Sequence, residues 1–270
     1  MSSFTDYYGL SCNPFDKASL KEKDHFESAD FKEMTNRLNY LKDVRGIGVF
    51  TARPGMGKTY VLRCFATGLN PNLYHMDYIC LSTVGVTDFY KQLCDILGLS
   101  QTGGKPVLFR AIQEQIYYLY KEKRQPLILA IDEAQELSTA VLNDLKMILN
   151  FKYDSLNCFT LILCGESHLN NTLSKPVHEA IRQRITVHYD FRGLSAEEIP
   201  DYVKHKLRVA GGADSIIDHA AMASVHSLSQ GNPRIIDTLM TDALALGAQM
   251  DKKIIDADVI MAAANNRQLG

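Results

Sequence analysis

The fold of this chain follows from one stretch, Ala52-Arg53-Pro54-Gly55-Met56-Gly57-Lys58-Thr59. An apolar run at residues 47–51 precedes it, and a helix-like run at residues 60–66 follows it. A strand, a glycine loop, Gly-Lys-Thr and a helix, in this order, are the context of a phosphate-binding P-loop. The alternative is a glycine-rich turn before an unrelated helix.

The chemistry of a P-loop assigns roles to the residues of this stretch. Backbone N–H groups of the loop and the helix N-terminus hold phosphate oxygens. Lys58 is expected to reach the β- and γ-phosphates, and the Thr59 hydroxyl to bind Mg²⁺. The leading glycine of the motif, which serves a tight turn, is Ala52 here. The predicted nucleotide-binding residues are Arg53, Pro54, Gly55, Met56, Gly57, Lys58, Thr59 and Tyr60.

The composition limits the class of protein. The chain has 270 residues, 46% of them hydrophobic, which is enough for one large domain or two modest ones. A net charge of -2 excludes a strongly basic surface but allows a local basic patch or a pore formed on assembly. The six cysteines form no C-x-x-C pair and most lie in apolar runs, so we expect a protein of the reduced cytoplasm. The first residues do not resemble a signal peptide, and no apolar run approaches the ~20 residues that span a bilayer, so we expect no membrane partner.

Strand-like and helix-like segments alternate through the first two thirds of the chain. Apolar runs predict strands at residues 47–51, 75–81, 126–131, 159–164 and 185–189. Helical spacing predicts helices at residues 28–43, 87–97 and 107–121, and another from about Leu137 to Leu149. The alternation predicts a doubly wound, parallel α/β sheet.

The pattern changes after Leu194. Ser195 and Glu198 form a capping box, and glycines separate three or four further helical segments. We therefore expect a nucleotide-binding α/β domain at residues 1–192, with an N-terminal arm at 1–27, and a helical domain at residues 193–270.

A second motif ends the strand at residues 126–131. This wholly apolar run is followed by Asp132-Glu133, the form of a Walker B strand. Asp132 would hold Mg²⁺ through water, and Glu133 would polarise the water that attacks the γ-phosphate. Taken alone, the pair would be better interpreted as an acidic helix N-terminus after a core strand. Its position behind a P-loop favours the catalytic interpretation.

Phosphoryl transfer also needs positive charge at the γ-phosphate, and three arginines are candidates. Arg182 and Arg184 precede the last strand, where an arginine usually faces the nucleotide of a neighbouring subunit. Arg234 would begin a helix and could point back at the phosphates. Each could instead be a solvated arginine at a helix end.

The motifs together resemble a known family. The chain is similar to AAA+ ATPases of the ExeA general secretion type and to the transposition ATPases TnsC, TniB and MuB. The resemblance covers nearly the whole chain. Besides the P-loop, the motifs that carry it are Tyr8-Gly9-Leu10 with Asn13-Pro14-Phe15, Ile131-Asp132-Glu133-Ala134-Gln135, Arg182-Gln183-Arg184-Ile185, Leu194-Ser195 with Glu198, and Gly231-Asn232-Pro233-Arg234.

The resemblance implies a fold and a set of roles. It implies ATP as the nucleotide, a parallel sheet of five strands in the order 5-1-4-3-2, and a C-terminal helical lid. It makes Arg184 the arginine finger that acts on a neighbouring subunit, and Arg234, after Pro233, the sensor-2 residue. It places Tyr8 and Phe15 in a wall near the adenine. The sensor-1 residue stays unassigned, because residues 164–168 depart from the family's usual Gly-Gln-Pro-Glu.

Three functions fit such an ATPase. The first is a transposition regulator that assembles with ATP on double-stranded DNA, as a ring or helical filament, marks a target and engages a transposase. The second is a secretion ATPase, whose relatives are expected to carry a membrane span and an envelope domain after the ATPase. The third is an assembly switch with little hydrolysis. The printed sequence contains neither secretion feature, and Lys58, Thr59, Asp132 and Glu133 are intact, so the sequence favours the first function.

Basic residues in loops are the candidate DNA contacts. A ring or filament needs only one or two per subunit, because every subunit repeats them. The candidates are Lys105, Lys146, Lys152, Lys121 and Lys123, the last two in a basic cluster with Arg124. Such contacts would be salt-sensitive and independent of sequence. For the cluster, a solvated turn before a strand is an equal alternative.

Overall fold

The computed structural model describes residues 4–17 and 24–266, so the remaining parts of the predicted N-terminal arm and C-terminal domain lie outside the described residues. The chain forms two compact units. We call Met34–Pro54 with Lys58–Phe191 the sheet unit, and Met1–Glu33 with Gly55–Gly57 and Arg192–Gly270 the helical unit.

Five parallel strands form the sheet unit's centre, in the spatial order β2-β3-β4-β1-β5. This confirms the expected order. The strands are β1 (Gly46–Thr51), β2 (His75–Ile79), β3 (Leu127–Ile131), β4 (Thr160–Gly165) and β5 (Ile185–Asp190). Three of them, β1, β3 and β4, are buried along their whole length, as apolar central strands of a parallel sheet require.

The helices before and within the sheet unit follow the predicted periodicity. The first helix, α1 (Phe4–Tyr8), belongs to the helical unit. The second, α2 (Ala29–Val44), begins in the helical unit and belongs to the sheet unit from Met34 onward. The Ser28 hydroxyl accepts the Phe31 N–H at 3.1 Å, which confirms the expected N-cap of α2. The other helices are α3 (Lys58–Gly68), α4 (Val86–Ile96), α5 (Lys105–Tyr118), α6 (Thr139–Ile148), α7 (His168–Leu173) and α8 (Glu179–Arg182).

Two segment predictions need correction. The strand predicted at residues 75–81 ends at Ile79. The helix predicted to reach Lys121 ends at Tyr118 and continues as a π-helical turn, Leu119–Lys123, which closes with Arg124 in a left-handed conformation. A helical pattern in the sequence does not distinguish the last α-turn from this wider turn.

The helical unit contains α9 (Glu198–Val209), α10 (His219–Ser229), α11 (Pro233–Gln249) and α12 (Ala257–Asn265) around its own apolar core. Reciprocal bonds between Ser195 and Glu198 confirm the capping box. The contacts group the N-terminal segment with these helices rather than with the sheet, because Leu10 and Phe15 are buried in this core. In the two described ranges, no helix combines the length and apolarity needed to cross a membrane.

Candidate nucleotide site

The motif residues of the sheet unit gather where the parallel strands end, which we call the carboxyl edge. β1 runs directly into Ala52, and β3 runs into Asp132 and Glu133. The Thr59 hydroxyl, at the start of α3, donates to Asp132 Oδ2 at 2.6 Å. The phosphate loop and the acidic pair therefore meet, although 73 positions separate Thr59 from Asp132.

Asp132 is held by three hydrogen bonds. Its Oδ2 also accepts the Tyr78 hydroxyl at 2.8 Å, and its Oδ1 accepts the Glu133 N–H at 3.0 Å. Burial, and then the bond to Asp132, raises the pKa of Tyr78, so this hydroxyl stays a donor. No sequence pattern marked Tyr78 as a site residue, because it lies inside β2 and belongs to no motif.

Lys58 carries a partly buried ammonium group. Its Nζ donates to the Ala52 carbonyl at 3.2 Å, and among the described residues no carboxylate forms an ion pair with it. Burial lowers the Lys58 pKa, while nearby groups that include Asp132 and Glu133 oppose the shift. A cation that points at a backbone carbonyl, behind a glycine loop, has the charge that an incoming phosphate requires.

The donor set at Thr59 and Asp132 fits Mg²⁺. Within residues 4–17 and 24–266, no three His, Cys, Asp or Glu side chains are grouped to hold a metal by themselves. Mg²⁺ does not require such a group, because it takes one or two protein oxygens and keeps waters and phosphate oxygens. A hydroxyl and a carboxylate oxygen 2.6 Å apart meet that requirement.

Ala52 stands where the motif has a glycine, and its geometry explains why alanine is accepted. It has no positive φ, and its N–H donates to the Gly165 carbonyl at 3.1 Å. The position thus continues the extended pairing of β1 with β4, which any residue can adopt. Left-handed backbone occurs further along the loop, at Gly55 (φ 85°) and Gly57 (φ 93°).

Glu133 itself has a left-handed conformation, with φ 50° and ψ 38°. The Ser82 hydroxyl donates to its carbonyl at 3.0 Å, and Gln135 Nε2 donates to its Oε2 at 2.6 Å. A non-glycine residue in this region is uncommon and costs free energy, so its surroundings must maintain it.

The region beyond β4 supplies no Gly-Gln-Pro-Glu sequence but is polar. The Glu166 N–H donates to Gln135 Oε1 at 2.9 Å, and the Glu166 carboxylate lies 3.5 Å from His168 Nδ1. Asn170 donates to Asp190 at 2.8 Å and to Thr51 at 3.1 Å, and so links the ends of β1 and β5. Gln135 and Asn170 are the polar side chains that sequence reasoning missed here.

Arg184 lies at the opposite, amino edge of the sheet. It directly precedes Ile185, which pairs with Ile47 near the start of β1. The phosphate loop begins five residues after Ile47, about 16 Å along an extended strand. The guanidinium of Arg184 donates to the Lys146 carbonyl at 2.9 Å and to Asp154 Oδ2 at 2.6 Å. The structure therefore does not bring Arg184 to the Thr59 and Asp132 of its own chain.

Arg182 and Arg234 have different surroundings. Arg182 donates to the carbonyls of Leu173 and Ser174 at 3.2 and 2.8 Å, at the end of α7. Within the helical unit, Pro233 is the first residue of α11, and the Arg234 N–H lies 3.4 Å from the Gly55 carbonyl. Arg234 thus lies beside Gly55 within the helical unit.

Tyr8 and Phe15 occupy the helical unit. The Tyr8 hydroxyl donates to the Lys252 carbonyl at 2.8 Å and lies against Gly247. Gly247 is 13 residues beyond Arg234 in α11, or about 20 Å along the helix. Phe15 is 3% exposed, in the core of this unit. This geometry does not bring Tyr8 to the loop, and the adenine role of both residues stays a prediction.

Most of the candidate DNA-binding lysines lie near the amino edge. Lys121 and Lys123 are exposed in the turn that leads into β3, and Lys146 and Lys152 lie at the end of α6 and in the loop that leads to β4. Lys152 Nζ stacks on Tyr117 at 5.7 Å. Lys105 differs, because its Nζ bonds the buried Asp144 carboxylate at 2.7 Å. That ion pair gives Lys105 a structural role.

Comparison with known proteins agrees with this geometry. Residues 41–173 match the AAA domain family. The chain has the fold of an AAA+ P-loop NTPase. Cdc6p from Pyrobaculum aerophilum superposes with a TM-score of 0.70 at 15% identity, over 95% of this chain and 71% of that one.

Two further structures share the AAA+ fold. The ORC1 protein of Aeropyrum pernix, solved in complex with DNA, gives a TM-score of 0.65 at 14% identity, over 98% of this chain and 71% of that one. The RuvB branch migration motor of Thermotoga maritima gives a TM-score of 0.59 at 19% identity, over 89% of this chain and 70% of that one. Likenesses at these identities concern the fold alone.

One curated relative is similar in sequence as well. General secretion pathway protein A of Aeromonas hydrophila is 31% identical over 264 residues, which cover 96% of this chain. The same residues cover 48% of that protein, so the chain spans about half the length of this relative.

Proposed function

We propose that this AAA+ chain hydrolyses ATP with Mg²⁺ at the carboxyl edge of its sheet. The observation that carries the proposal is the bond of 2.6 Å between Thr59 and Asp132, with Lys58 and Glu133 beside it. The loop residues 53–60 bind the phosphates, with Lys58 at the β- and γ-phosphates. Thr59 and Asp132 hold Mg²⁺, and Glu133 polarises the attacking water.

We propose further that a neighbouring copy completes the site. Arg184 is about 16 Å along the strand from its own phosphate loop, too far for contact without refolding. An arginine at the opposite edge can serve the nucleotide of the next subunit in a ring or filament. Arg234 adds positive charge beside Gly55 in the same chain. Arg182 contributes indirectly, by fixing the end of α7 through the Leu173 and Ser174 carbonyls.

For the partner we propose double-stranded DNA, within a role as an ATP-dependent regulator of transposition that marks a target and engages a transposase. The resemblance to transposition ATPases and the exposed lysines of the amino edge support this choice. An AAA+ relative in fold has been solved with DNA, which makes DNA a reasonable partner for the architecture. Repetition of Lys121, Lys123, Lys146 and Lys152 in every subunit would line an assembly with local positive charge, although each subunit carries a net charge of -2.

A second candidate is a secretion ATPase, favoured by the sequence similarity to general secretion pathway protein A. The shared part is about half of that protein and contains the nucleotide site. Its role in secretion therefore concerns a longer protein than the aligned segment. An assembly switch with little hydrolysis is the third candidate, and it predicts ATP binding without turnover.

Co-sedimentation with duplex DNA and negative-stain microscopy, with ATP, ADP and no nucleotide, test the DNA role. We expect ATP-dependent assemblies on DNA, with an affinity that falls steeply as salt rises. Lys58→Ala should abolish both ATP binding and assembly. Absence of DNA binding and of oligomers in every nucleotide state would refute the transposition proposal, and unchanged ATP affinity of Lys58→Ala would refute the P-loop role.

The amino-edge lysines are tested by a matched pair of variants. Lys121→Ala combined with Lys123→Ala should weaken DNA binding and flatten its salt dependence, since each removed phosphate contact lowers the slope by about 1. Lys91→Ala is the control, because Lys91 is a half-exposed lysine of α4 that pairs with Asp88. Equal DNA affinity of the double variant and the control would exclude this lysine pair.

A further inference from the structure

The Gln135 side chain forms a bridge from Glu133 to the end of β4. Its Nε2 donates to Glu133 Oε2 at 2.6 Å, and its Oε1 accepts the Glu166 N–H at 2.9 Å. Both ends of one amide are therefore used, and they join the carboxyl ends of two neighbouring strands, β3 and β4. We propose that Gln135 is a positioning residue that holds the Glu133 carboxylate for ATP hydrolysis.

The hydrogen bond from Gln135 fixes one oxygen and leaves the other available. With Oε2 held by the amide, Oε1 of Glu133 can accept a proton from a water molecule. A glutamate side chain has several rotatable bonds, and an exposed one samples many rotamers. The amide removes much of this freedom before the reaction, which is the benefit of a preorganised site.

The backbone of Glu133 is held in the same way. Its left-handed conformation is maintained by the Ser82 hydroxyl on its carbonyl and by the Asp132 carboxylate on its N–H. Ser82 is 3% exposed, so water does not readily replace that bond. The main chain and the side chain of Glu133 are thus fixed by separate partners. Among the described contacts, Gln135 alone holds the carboxylate.

Gly165, the last residue of β4, leaves the room that the amide needs. A Cβ at this position would lie 2.7 Å from Gln135 Oε1, 3.1 Å from Leu169 Cδ2 and 3.3 Å from the Gln135 N atom. The amide oxygen is the nearest of these atoms, and the backbone nitrogen cannot move aside cheaply. A side chain at position 165 would therefore displace the amide, so Gly165 provides an independent way to disturb the same bridge.

The first test compares Gln135→Glu with wild type, and it rests on the proposed ATPase function. Glutamate has the same shape and still accepts the Glu166 N–H, but its carboxylate cannot donate to Glu133. We expect kcat to fall roughly 10-fold to 100-fold, part of the 10²–10⁴-fold that a general base supplies, with KM for ATP unchanged. Assays run with and without duplex DNA, and ATP affinity is measured separately.

The second test uses Gln135→Ala, Gly165→Ala and the double variant. If both single changes act through the amide, the double variant should be no slower than Gln135→Ala alone. Gln113→Ala is the control, because Gln113 also bridges backbone carbonyls, those of Met147, Ile148 and Asn150, away from the site. Its kcat should equal that of wild type.

The outcomes separate the inference from the proposed function. Wild-type turnover in Gln135→Glu, multiplicative losses in the double variant, or a parallel loss of kcat, ATP affinity and melting temperature would each overturn the positioning role while leaving the ATPase intact. A wild-type protein no faster than Lys58→Ala would overturn the ATPase proposal itself, and the inference with it.

Discussion

At the residue scale, Gly55 has less room for a side chain than Gly57, the other glycine of the loop. Its φ is 85°, and a Cβ there would lie 2.7 Å from Arg234 Cβ and 2.7 Å from Asn232 Oδ1. Asn232 cannot turn away freely, because this oxygen caps α11 by accepting the Arg234 and Ile235 N–H groups. The position therefore requires glycine for space as well as for conformation.

Gly55→Ala should lower the free energy of unfolding by about 1–3 kcal/mol, measured by urea denaturation without nucleotide. Gly57→Ala is the matched control, since Gly57 has a similar φ of 93° and no atom within 4 Å of the added Cβ. The control should show only the conformational cost. If both variants lost the same free energy of unfolding, the added methyl group at position 55 would be accommodated at no cost, and the prediction would be wrong.

Arg184 illustrates what sequence analysis could and could not supply at this scale. Its place before the last strand was readable from the sequence, and with it the expectation of a role in trans. The bond from Arg184 to Asp154 could not be predicted from the sequence, because it depends on a turn in which Lys152, Tyr153 and Asp154 are consecutive non-glycine residues with positive φ. No propensity rule predicts such a turn for these residue types.

The pair formed by Arg184 and Asp154 gives a test that separates catalysis from packing. Asp154 is 52% exposed, and ion pairs of this kind are worth about 0–1 kcal/mol. Arg184→Ala should lower ATP turnover of the assembled protein, whereas Asp154→Ala should not. Equal losses would assign Arg184 a structural role, and a loss in a dilute monomer would indicate action on its own nucleotide.

At the scale of elements, the short turn Pro176–His178 buries a histidine. His178 is 1% exposed, and neither ring nitrogen has a hydrogen-bond partner among the described residues. Burial, and then the charge of Lys175, lowers the His178 pKa. The folded protein thus holds His178 neutral, while the unfolded chain binds a proton at its ordinary pKa of about 6.5.

This difference predicts a loss of stability in acid. Below pH ~6.5 the unfolded state binds more protons at this position than the folded state, so the free energy of unfolding falls as pH falls. In His178→Leu that contribution should disappear, and the unfolding free energy between pH 7.5 and 5.5 should fall less steeply than in wild type. Identical slopes would contradict the buried, neutral state of His178.

Element positions were largely predictable, because buried parallel strands are short apolar runs and their helices carry a clear period. Strand order was not, since hydrophobic patterns do not encode which strands are neighbours; it came from the resemblance. The Walker residues were predictable from their motifs. The roles of Tyr78, Ser82 and Gln135 were not, because each depends on contacts across strands that no local pattern records.

At the scale of the whole molecule, we propose that the carboxyl edge of the sheet hydrolyses ATP and that the amino edge faces neighbouring subunits. Thr59, Asp132 and Glu133 share the carboxyl edge, while Arg184 and the exposed lysines share the amino edge. Assembly would bring one edge to the other, so turnover should rise with protein concentration and with duplex DNA.

The most direct test of this account is ATP turnover by Glu133→Gln, measured beside ATP binding. Glu136→Gln is the control, because Glu136 is an exposed glutamate of the same short turn. We expect Glu133→Gln to bind ATP as wild type does and to accumulate in the assembled form. Its ATP turnover should be at most about one hundredth of the wild-type rate, and turnover by Glu136→Gln should equal that of wild type. Turnover by Glu133→Gln at the wild-type rate would contradict the assignment of Glu133 as the base and, with it, the proposed catalytic site.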